Sequence, residues 1–149
     1  MRISTRGEYG VRAMFDLAMH YGQGPISLKI IAERQGISEH YLEQLIGSLR
    51  KAGLVTSVRG AQGGYQLANA PEDVPIGDII RTLEGPIAPM DCVDIESSSC
   101  QQFNRCATRV LWERLRDSME KVLDETTLAT LCQEGMKLQA KDDSFMYHI

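Results

Sequence analysis

Apolar residues recur at the spacing of an amphipathic helix near the start of the chain, between residues 3 and 21. The GQGP sequence at residues 22–25 ends this predicted helix, because glycine and proline interrupt helical structure. Ser27 then has the position of an N-cap for a short second helix, LKIIAERQ, and Gly36 ends it. The apolar positions of the first helix are Val11, Met14, Leu17, Ala18 and Tyr21.

A third helix and a hairpin follow closely. Ser38 is a second predicted N-cap, Gly53 ends the helix, and the two helices joined across QGI form a helix-turn-helix pattern. Two β-rich runs, 54–59 and 65–68, flank a turn rich in glycine, which predicts a β-hairpin. The apolar face of the third helix comprises Leu42, Leu45, Ile46 and Leu49.

The order of elements predicts the fold class. Three helices followed by a hairpin indicate a winged helix-turn-helix, mainly α-helical with a small β-hairpin wing. The predicted organisation is a winged helix-turn-helix DNA-binding domain over 1–84, a cysteine-bearing loop over 85–104, and a dimerisation helix with a C-terminal tail over 105–149. A short helix closing the first domain has apolar positions Ile76, Ile79, Ile80 and Leu83.

The longest helical pattern covers residues 105–124, outside the predicted winged domain. Its apolar stripe has little of its own chain left to pack against, so we expect a self-complementary seam between two copies in a homodimer. The stripe consists of Leu111, Leu115, Met119 and Val122.

Charge is distributed unevenly along the chain, whose formal net charge is -4. Residues 1–70 contain 8 basic and 5 acidic side chains, whereas residues 71–149 contain 8 and 15. The basic first half is suited to contact with phosphates. No apolar run reaches membrane-spanning length and no signal pattern is present, which predicts a cytoplasmic protein without membrane contact. The absence of a nucleophile–base pair or a phosphate-binding loop predicts that it is not an enzyme.

The third helix is the candidate recognition helix. His40, Glu43 and Gln44 lie near its start, where side chains best reach base edges, and Glu43 can reject operators that lack a hydrogen-bond donor. Arg59 at the wing tip is suited to a minor groove. Tyr41 and Tyr65 have core packing as their alternative role. The predicted DNA-contacting residues are Arg2, Ser4, Lys29, Ser38, His40, Tyr41, Glu43, Gln44, Arg50, Arg59, Gly60 and Tyr65.

Three of the four cysteines lie in one polar segment with the spacing C-x7-C-x5-C: Cys92, Cys100 and Cys106. Asn104 is a candidate cap for the helix that follows, which would place Cys106 in its first turn, where the helix dipole favours the thiolate. The local pattern leaves several roles open, among them metal ligation, a structural zinc site and a thiol redox switch. Cys132, within an apolar helical pattern, is predicted to be a core residue.

Over essentially its full length the chain resembles the IscR-type regulators, a winged-helix family that includes iron–sulfur, nitric-oxide and cysteine-metabolism repressors. The stretches that carry the resemblance are MRISTRGEYGVRAM, SEHYLEQLIGSLRKAGLVTSVRGAQGGYQLA, IGDIIRTLEGPIAP and VLWERLRDSM. The resemblance implies a homodimer that binds a palindromic operator in double-stranded DNA. It also implies control of genes for iron–sulfur assembly or sulfur metabolism.

The same resemblance implies an iron–sulfur cluster on the three clustered cysteines, with 2Fe–2S favoured over 4Fe–4S. The chain departs from the family pattern in a longer first spacing and in Arg109, which stands where a histidine ligand is expected. Arginine does not ligate iron, so another residue must be the fourth ligand. The resemblance points to Glu8 from the partner subunit's first helix, and Asp91 is the local alternative.

Two regulatory hypotheses follow from this resemblance. The first is a transcription regulator that responds to an iron–sulfur cluster, with cluster-assembly proteins as further candidate partners. The alternative is a CymR-like repressor of cysteine metabolism, controlled by a cysteine-synthesis enzyme or by thiol redox state. The sequences SEHYLEQL and SFMYHI are similar to the CymR-like subgroup, which lacks the cysteine cluster.

Overall fold

The computed structural model describes residues 2–94, 101–102 and 104–147 of the chain. It is mostly helical, with one two-stranded antiparallel sheet among these residues, and confirms the predicted fold class. Two 3-10 turns, Pro71–Asp73 and Asp91–Val93, accompany the regular elements. In chain order these elements are α1 (Thr5–Met19), α2 (Leu28–Gln35), α3 (Glu39–Lys51), β1 (Val55–Val58), β2 (Gly64–Leu67), α4 (Ile76–Glu84), α5 (Ala107–Glu125) and α6 (Leu128–Tyr147).

Local capping defines the helix-turn-helix. The Ser27 hydroxyl accepts a hydrogen bond from the backbone N–H of Ile30 at 3.3 Å, and the Ser38 hydroxyl accepts one from Tyr41 at 3.2 Å. Gly36 ends α2 in the left-handed region with φ 64°, which favours glycine. Both predicted N-caps are therefore confirmed, and together they define the turn that sets α3 against α2.

The wing is anchored by a contact that the local sequence pattern does not reveal. Ile26, just before the N-cap of α2, exchanges two backbone hydrogen bonds with Tyr65 of β2, at 2.9 and 2.8 Å. The backbone of Gly64 passes so close to Ile26 that a Cβ there would lie 2.2 Å from the Ile26 carbonyl oxygen. The start of α2 and the hairpin thus hold each other in place.

Helix α1 is the central element of the core. It packs against α2, α3, α4 and α6, and its inner face is buried together with the apolar face of α3. Asp16 is the one buried charged side chain among the described residues, at 3% exposure. Its carboxylate accepts from Arg34 at 2.8 Å and from Gln35 at 3.0 Å, which joins α1 to α2.

The predicted single apolar stripe of α5 is divided between two environments. Met119 packs against the core, whereas Leu111 and Val122 are 56% and 64% exposed. The division arises because α5 lies beside α4, held there by a paired hydrogen bond from Arg81 to Asp124 at 2.8 Å for both contacts. One part of α5 therefore packs against the domain core, and other parts of the helix carry exposed apolar side chains.

The segment after α5, assigned to a C-terminal tail, forms a long helix, α6, which includes the helical pattern predicted around Cys132. Its first residue, Leu128, is fully buried, and the backbone of residues 126–128 pairs with residues 74–76. Cys132 is half-buried against the core, as expected. Among the described helices, none combines the length and the apolar character needed to cross a membrane.

Gly10 lies where α1 and α4 approach closely, and Gly47 of α3 provides a control in open space. A Cβ on Gly10 would lie 1.9 Å from Leu83 Cδ1, whereas a Cβ on Gly47 in α3 would meet no atom within 4 Å. We expect Gly10→Ala to lower the free energy of unfolding by about 1–3 kcal/mol through overpacking. The control Gly47→Ala should raise it by about 0.5–1 kcal/mol, because alanine favours the helix. Urea unfolding measures both, and equal stabilisation by the two variants would contradict the close packing.

Candidate functional site

The exposed face of α3 presents a group of polar side chains opposite the buried leucines. His40, Glu43 and Gln44 are all exposed, and Gln44 Nε2 lies 3.4 Å from His40 Nε2. These positions are three and four residues apart, so they share one face of the helix. The structure thus brings together the three side chains that were predicted to read base edges.

The other residues of α3 that were predicted to contact DNA lie in different environments. Tyr41 is partly buried and packs edge-on against Tyr9, with ring centroids 6.0 Å apart and an interplanar angle of 75°. The hydroxyl of Ser38 already accepts the capping hydrogen bond, which leaves its O–H as a donor. Arg50 is exposed in the last turn of α3. Tyr41 therefore has the core contact that was its alternative role.

The wing carries its polar residues at an exposed tip. Arg59 and Gly60 are exposed, and Gly60 has φ 116°, in the region that favours glycine. Gly63 closes the turn by donating to the Gly60 carbonyl at 3.0 Å. Tyr65, by contrast, is half-buried and packs against the core.

The remaining residues that were predicted to contact DNA lie at helix starts. Lys29 is exposed in the first turn of α2, next to the segment that pairs with the wing. Arg2 and Ser4 are exposed before α1, and the Ser4 backbone N–H donates to the Glu84 carboxylate at the end of α4. The pairing of Ile26 with β2 brings the start of α2 next to the wing, and this neighbourhood was not evident from the sequence.

The described cysteines of the polar segment lie at its two ends. Cys92 is in the 3-10 turn Asp91–Val93, Cys106 directly precedes α5, and Cys100 lies outside the described residues. Cys106 itself, and not Asn104, occupies the N-cap position of α5, since its backbone is extended and the helix begins at the next residue. Both described thiols are partly exposed and free of disulfides.

Hydrogen bonds at the start of α5 favour the thiolate of Cys106. Its Sγ lies 3.1 Å from the Thr108 hydroxyl, and this contact, followed by the backbone N–H of Arg109, lowers the pKa of the Cys106 thiol. Burial raises the pKa of the Cys132 thiol on α6. The two cysteines therefore differ in reactivity, and Cys106 has the properties expected of a metal ligand or a redox-active thiol.

Arg116 connects the turn containing Cys92 to α5. Its Nη1 donates to the Val93 carbonyl at 3.0 Å, while Nε and Nη2 donate to Asp117. The turn is therefore attached to α5, and Cys106 directly precedes the same helix. Both described ends of the cysteine segment thus lie against one helix.

Glu8, the predicted ligand from a partner subunit, is exposed on α1, with its Oε1 4.0 Å from Arg12 Nη1. The described residues of a single chain contain no group of three or more histidine, cysteine or acidic side chains placed to hold a metal ion. Arg109 forms an ion pair with Glu113 at 2.9 Å, consistent with a residue that does not ligate. The donor chemistry fits a thiolate-bound cluster, provided that Cys100 and a further residue complete it.

The two thiol environments predict different alkylation profiles. We expect the pH midpoint for alkylation of Cys106 by iodoacetamide to lie below that of an ordinary thiol, and the midpoint for Cys132 to lie above it. Thr108→Val removes the hydroxyl that favours the thiolate, so it should raise the Cys106 midpoint and leave that of Cys132 unchanged. Mass spectrometry of the cluster-free protein across a pH series measures both rates. An unchanged Cys106 midpoint in the variant would contradict the role of Thr108.

Comparisons with known proteins agree with this geometry. The family model Rrf2, described as an iron-dependent transcriptional regulator, matches residues 3–134. The HTH-type transcriptional regulator CymR of Bacillus subtilis is 46% identical over 149 residues, covering all of both chains. The HTH-type transcriptional regulator IscR of Aliivibrio salmonicida is 41% identical over 142 residues, covering 95% of this chain and 83% of that protein.

Solved structures show the same relationship. The structure of T. potens IscR matches with a TM-score of 0.79 and 54% identity, covering 93% of this chain and 91% of that chain. The sequence identities to CymR and to IscR are higher than similarity of fold alone would give. The chain therefore belongs to the Rrf2 family and is a DNA-binding transcriptional regulator.

Proposed function

We propose that the protein is a homodimeric regulator whose operator binding responds to an iron–sulfur cluster held by Cys92, Cys100 and Cys106. It would control genes for iron–sulfur assembly or sulfur metabolism. The observation that carries this proposal is the arrangement of two free thiols at the ends of one segment, both supported by α5, with the Cys106 thiolate favoured. Similarity to IscR proteins supports the same reading.

The cluster, when bound, would supply iron that thiolates ligate. Its oxidation state and its occupancy would change with redox conditions and with iron supply. The Thr108 hydroxyl and the Arg109 N–H lower the pKa of the Cys106 thiol and so favour the thiolate, which is the form that binds iron. Cys92 is held toward α5 by the Arg116–Val93 hydrogen bond. We assign Glu8 of a partner subunit as the fourth ligand, since it is exposed on α1.

A second copy of the chain is supported by the exposed apolar side chains of α5. Val110, Leu111 and Val122 are 51%, 56% and 64% exposed, so α5 offers apolar surface to a second copy. Two copies would cover these residues around a two-fold axis and would pair two recognition helices with a palindromic operator. Dimer formation also brings residues of one subunit near the other, as a shared ligand set requires.

DNA recognition is assigned to α3 and the wing. Glu43 accepts a hydrogen bond from a cytosine amino group, and Gln44 pairs with adenine, both in the major groove. Arg59 enters the minor groove beside the hairpin, where Gly60 lets the backbone approach. The basic side chains at helix starts contact phosphates and set the register.

The effect of iron ligation would be transmitted to the exposed face of α3 through α5 and α4. The Arg116 contact joins the Cys92 turn to α5, and the Arg81–Asp124 pair joins α5 to α4. Helix α4 packs directly against α1 and α3. A shift of the cysteine segment therefore acts on the recognition helix through two packed helices.

A CymR-like function is the second candidate. The observation that favours it is the full-length similarity to CymR of Bacillus subtilis, together with a thiol whose lowered pKa suits redox control. A cysteine-synthesis enzyme, O-acetylserine sulfhydrylase, would then be the controlling partner. Co-purification of that enzyme with a cluster-free regulator distinguishes this function from the first.

Glu43 provides a test of base recognition. We expect Glu43→Ala to bind unrelated DNA more tightly and to lose about 1–3 kcal/mol of discrimination between the selected operator and a variant with the contacted cytosine replaced. The operator is first obtained by in vitro selection with the wild-type protein. Fluorescence anisotropy then gives both affinities at one fixed salt concentration.

The matched control for this test is Glu33→Ala, which removes an exposed carboxylate from α2. It should change the affinity for both DNAs by the same factor. Should Glu43→Ala retain the wild-type discrimination, Glu43 would have no role in base reading.

Cluster binding is tested by composition. The protein purified without oxygen should show visible absorption with iron and acid-labile sulfide, and Cys100→Ser should lose both because a thiolate ligand is removed. Cys132→Ser is the control and should retain them, since Cys132 packs against the core. A colourless wild-type protein that takes up no iron or sulfide on reconstitution would rule out the proposed cofactor.

A further inference from the structure

A cleft outside the predicted ligand set lies between α4, the 3-10 turn Asp91–Val93 and α5. Its volume is about 560 Å³, within the range of small-molecule sites. Apolar side chains, including Ile87 and Val93, form one part of its lining, and neither Cys92 nor Cys106 contributes to it. The cleft therefore offers apolar surface to a ligand without using the proposed cluster ligands.

The rest of the lining carries both signs of charge. Arg81 and Arg116 contribute guanidinium groups, and Asp94 and Glu120 contribute carboxylates. Arg81 donates to Asp124 and Arg116 to Val93 and Asp117, but each guanidinium has five N–H donors, so donors are left over. A simple cation would be repelled by the arginines and a simple anion by the carboxylates.

Glu120 has carboxylate oxygens that are available to accept hydrogen bonds. It lies one helical turn after Arg116 on α5, and its charge contributes to the raised pKa of Arg81. Within the described parts of the chain, its carboxylate has no hydrogen bond and no ion pair within 4 Å. An ammonium group in the cleft would find this carboxylate available.

We propose that this cleft binds a zwitterionic amino acid with an apolar side chain. Glu120 accepts from the ammonium group, the free N–H groups of Arg81 and Arg116 donate to the carboxylate, and the side chain packs on Ile87 and Val93. Because the cleft joins α4 to the turn beside Cys92 and to α5, an occupant would link the three elements that connect the cysteine segment to the DNA-binding domain. The site does not depend on a cluster.

Isothermal titration of the full-length, cluster-free protein tests the site with L-leucine and L-phenylalanine as probes. We expect binding in the micromolar to millimolar range. N-acetyl-L-leucine lacks the ammonium group and L-leucinamide lacks the carboxylate. Each should bind about tenfold more weakly or worse, because each loses a charge-assisted hydrogen bond.

Glu120→Gln preserves the size of the side chain and should weaken L-leucine binding by a similar factor. The matched control is Glu125→Gln, which changes an exposed carboxylate at the end of α5 away from the cleft and should bind L-leucine as the wild type does. No heat of binding from either amino acid at millimolar concentration would overturn the proposal. So would equal binding of L-leucine by wild type and Glu120→Gln. Neither result bears on iron or operator binding, so failure here is distinct from failure of the proposed function.

Discussion

A buried carboxylate on α1 is the contact on which the DNA-binding domain depends. Asp16 is almost completely removed from solvent, and a buried charge is tolerated only when it is paired and hydrogen-bonded. Arg34 and Gln35, at the end of α2, supply that pairing, and His20 accepts a hydrogen bond from Arg34 at its Nε2. The end of α2 is thus fixed relative to α1 just before the turn into α3. The orientation of α3 follows from this pairing and from its buried apolar face.

The same helix connects this domain to the rest of the chain. On one side α1 packs closely against α4, where Gly10 leaves room for Leu83, and on another it packs against α6. Arg12 of α1 lies over the Tyr9 ring at 5.2 Å, and Tyr9 in turn meets Tyr41 of α3. Any displacement of α4 would therefore be transmitted to α1 and α3, since close-packed interiors transmit strain.

The sequence predicts those features that depend on neighbouring residues. Ser27 and Ser38 are recognisable as N-caps because capping involves residues only three positions apart, and the glycine-rich turn marks the hairpin for a similar reason. Features that depend on distant residues were not predicted. The pairing of Ile26 with Tyr65, the division of the α5 stripe and the docking of Leu128 all depend on contacts between separate elements. The N-cap position of Cys106 differs by two residues from the expected Asn104, a normal error for a helix boundary. His40, Glu43 and Gln44, which are proposed to read bases, could be predicted as a group because helical periodicity alone places them together.

In the proposed function, iron ligation by the cysteine segment changes how α3 binds DNA. The most direct test is the operator affinity of one anaerobic preparation, measured by anisotropy before and after the cluster is removed by a chelator, with Cys92→Ser carried through the same steps. We expect removal to change the wild-type affinity by about tenfold, which corresponds to about 1.4 kcal/mol of coupling, and to leave the affinity of the variant unchanged. Equal affinity of the wild-type protein with and without its cluster would show that iron ligation and DNA binding are not coupled.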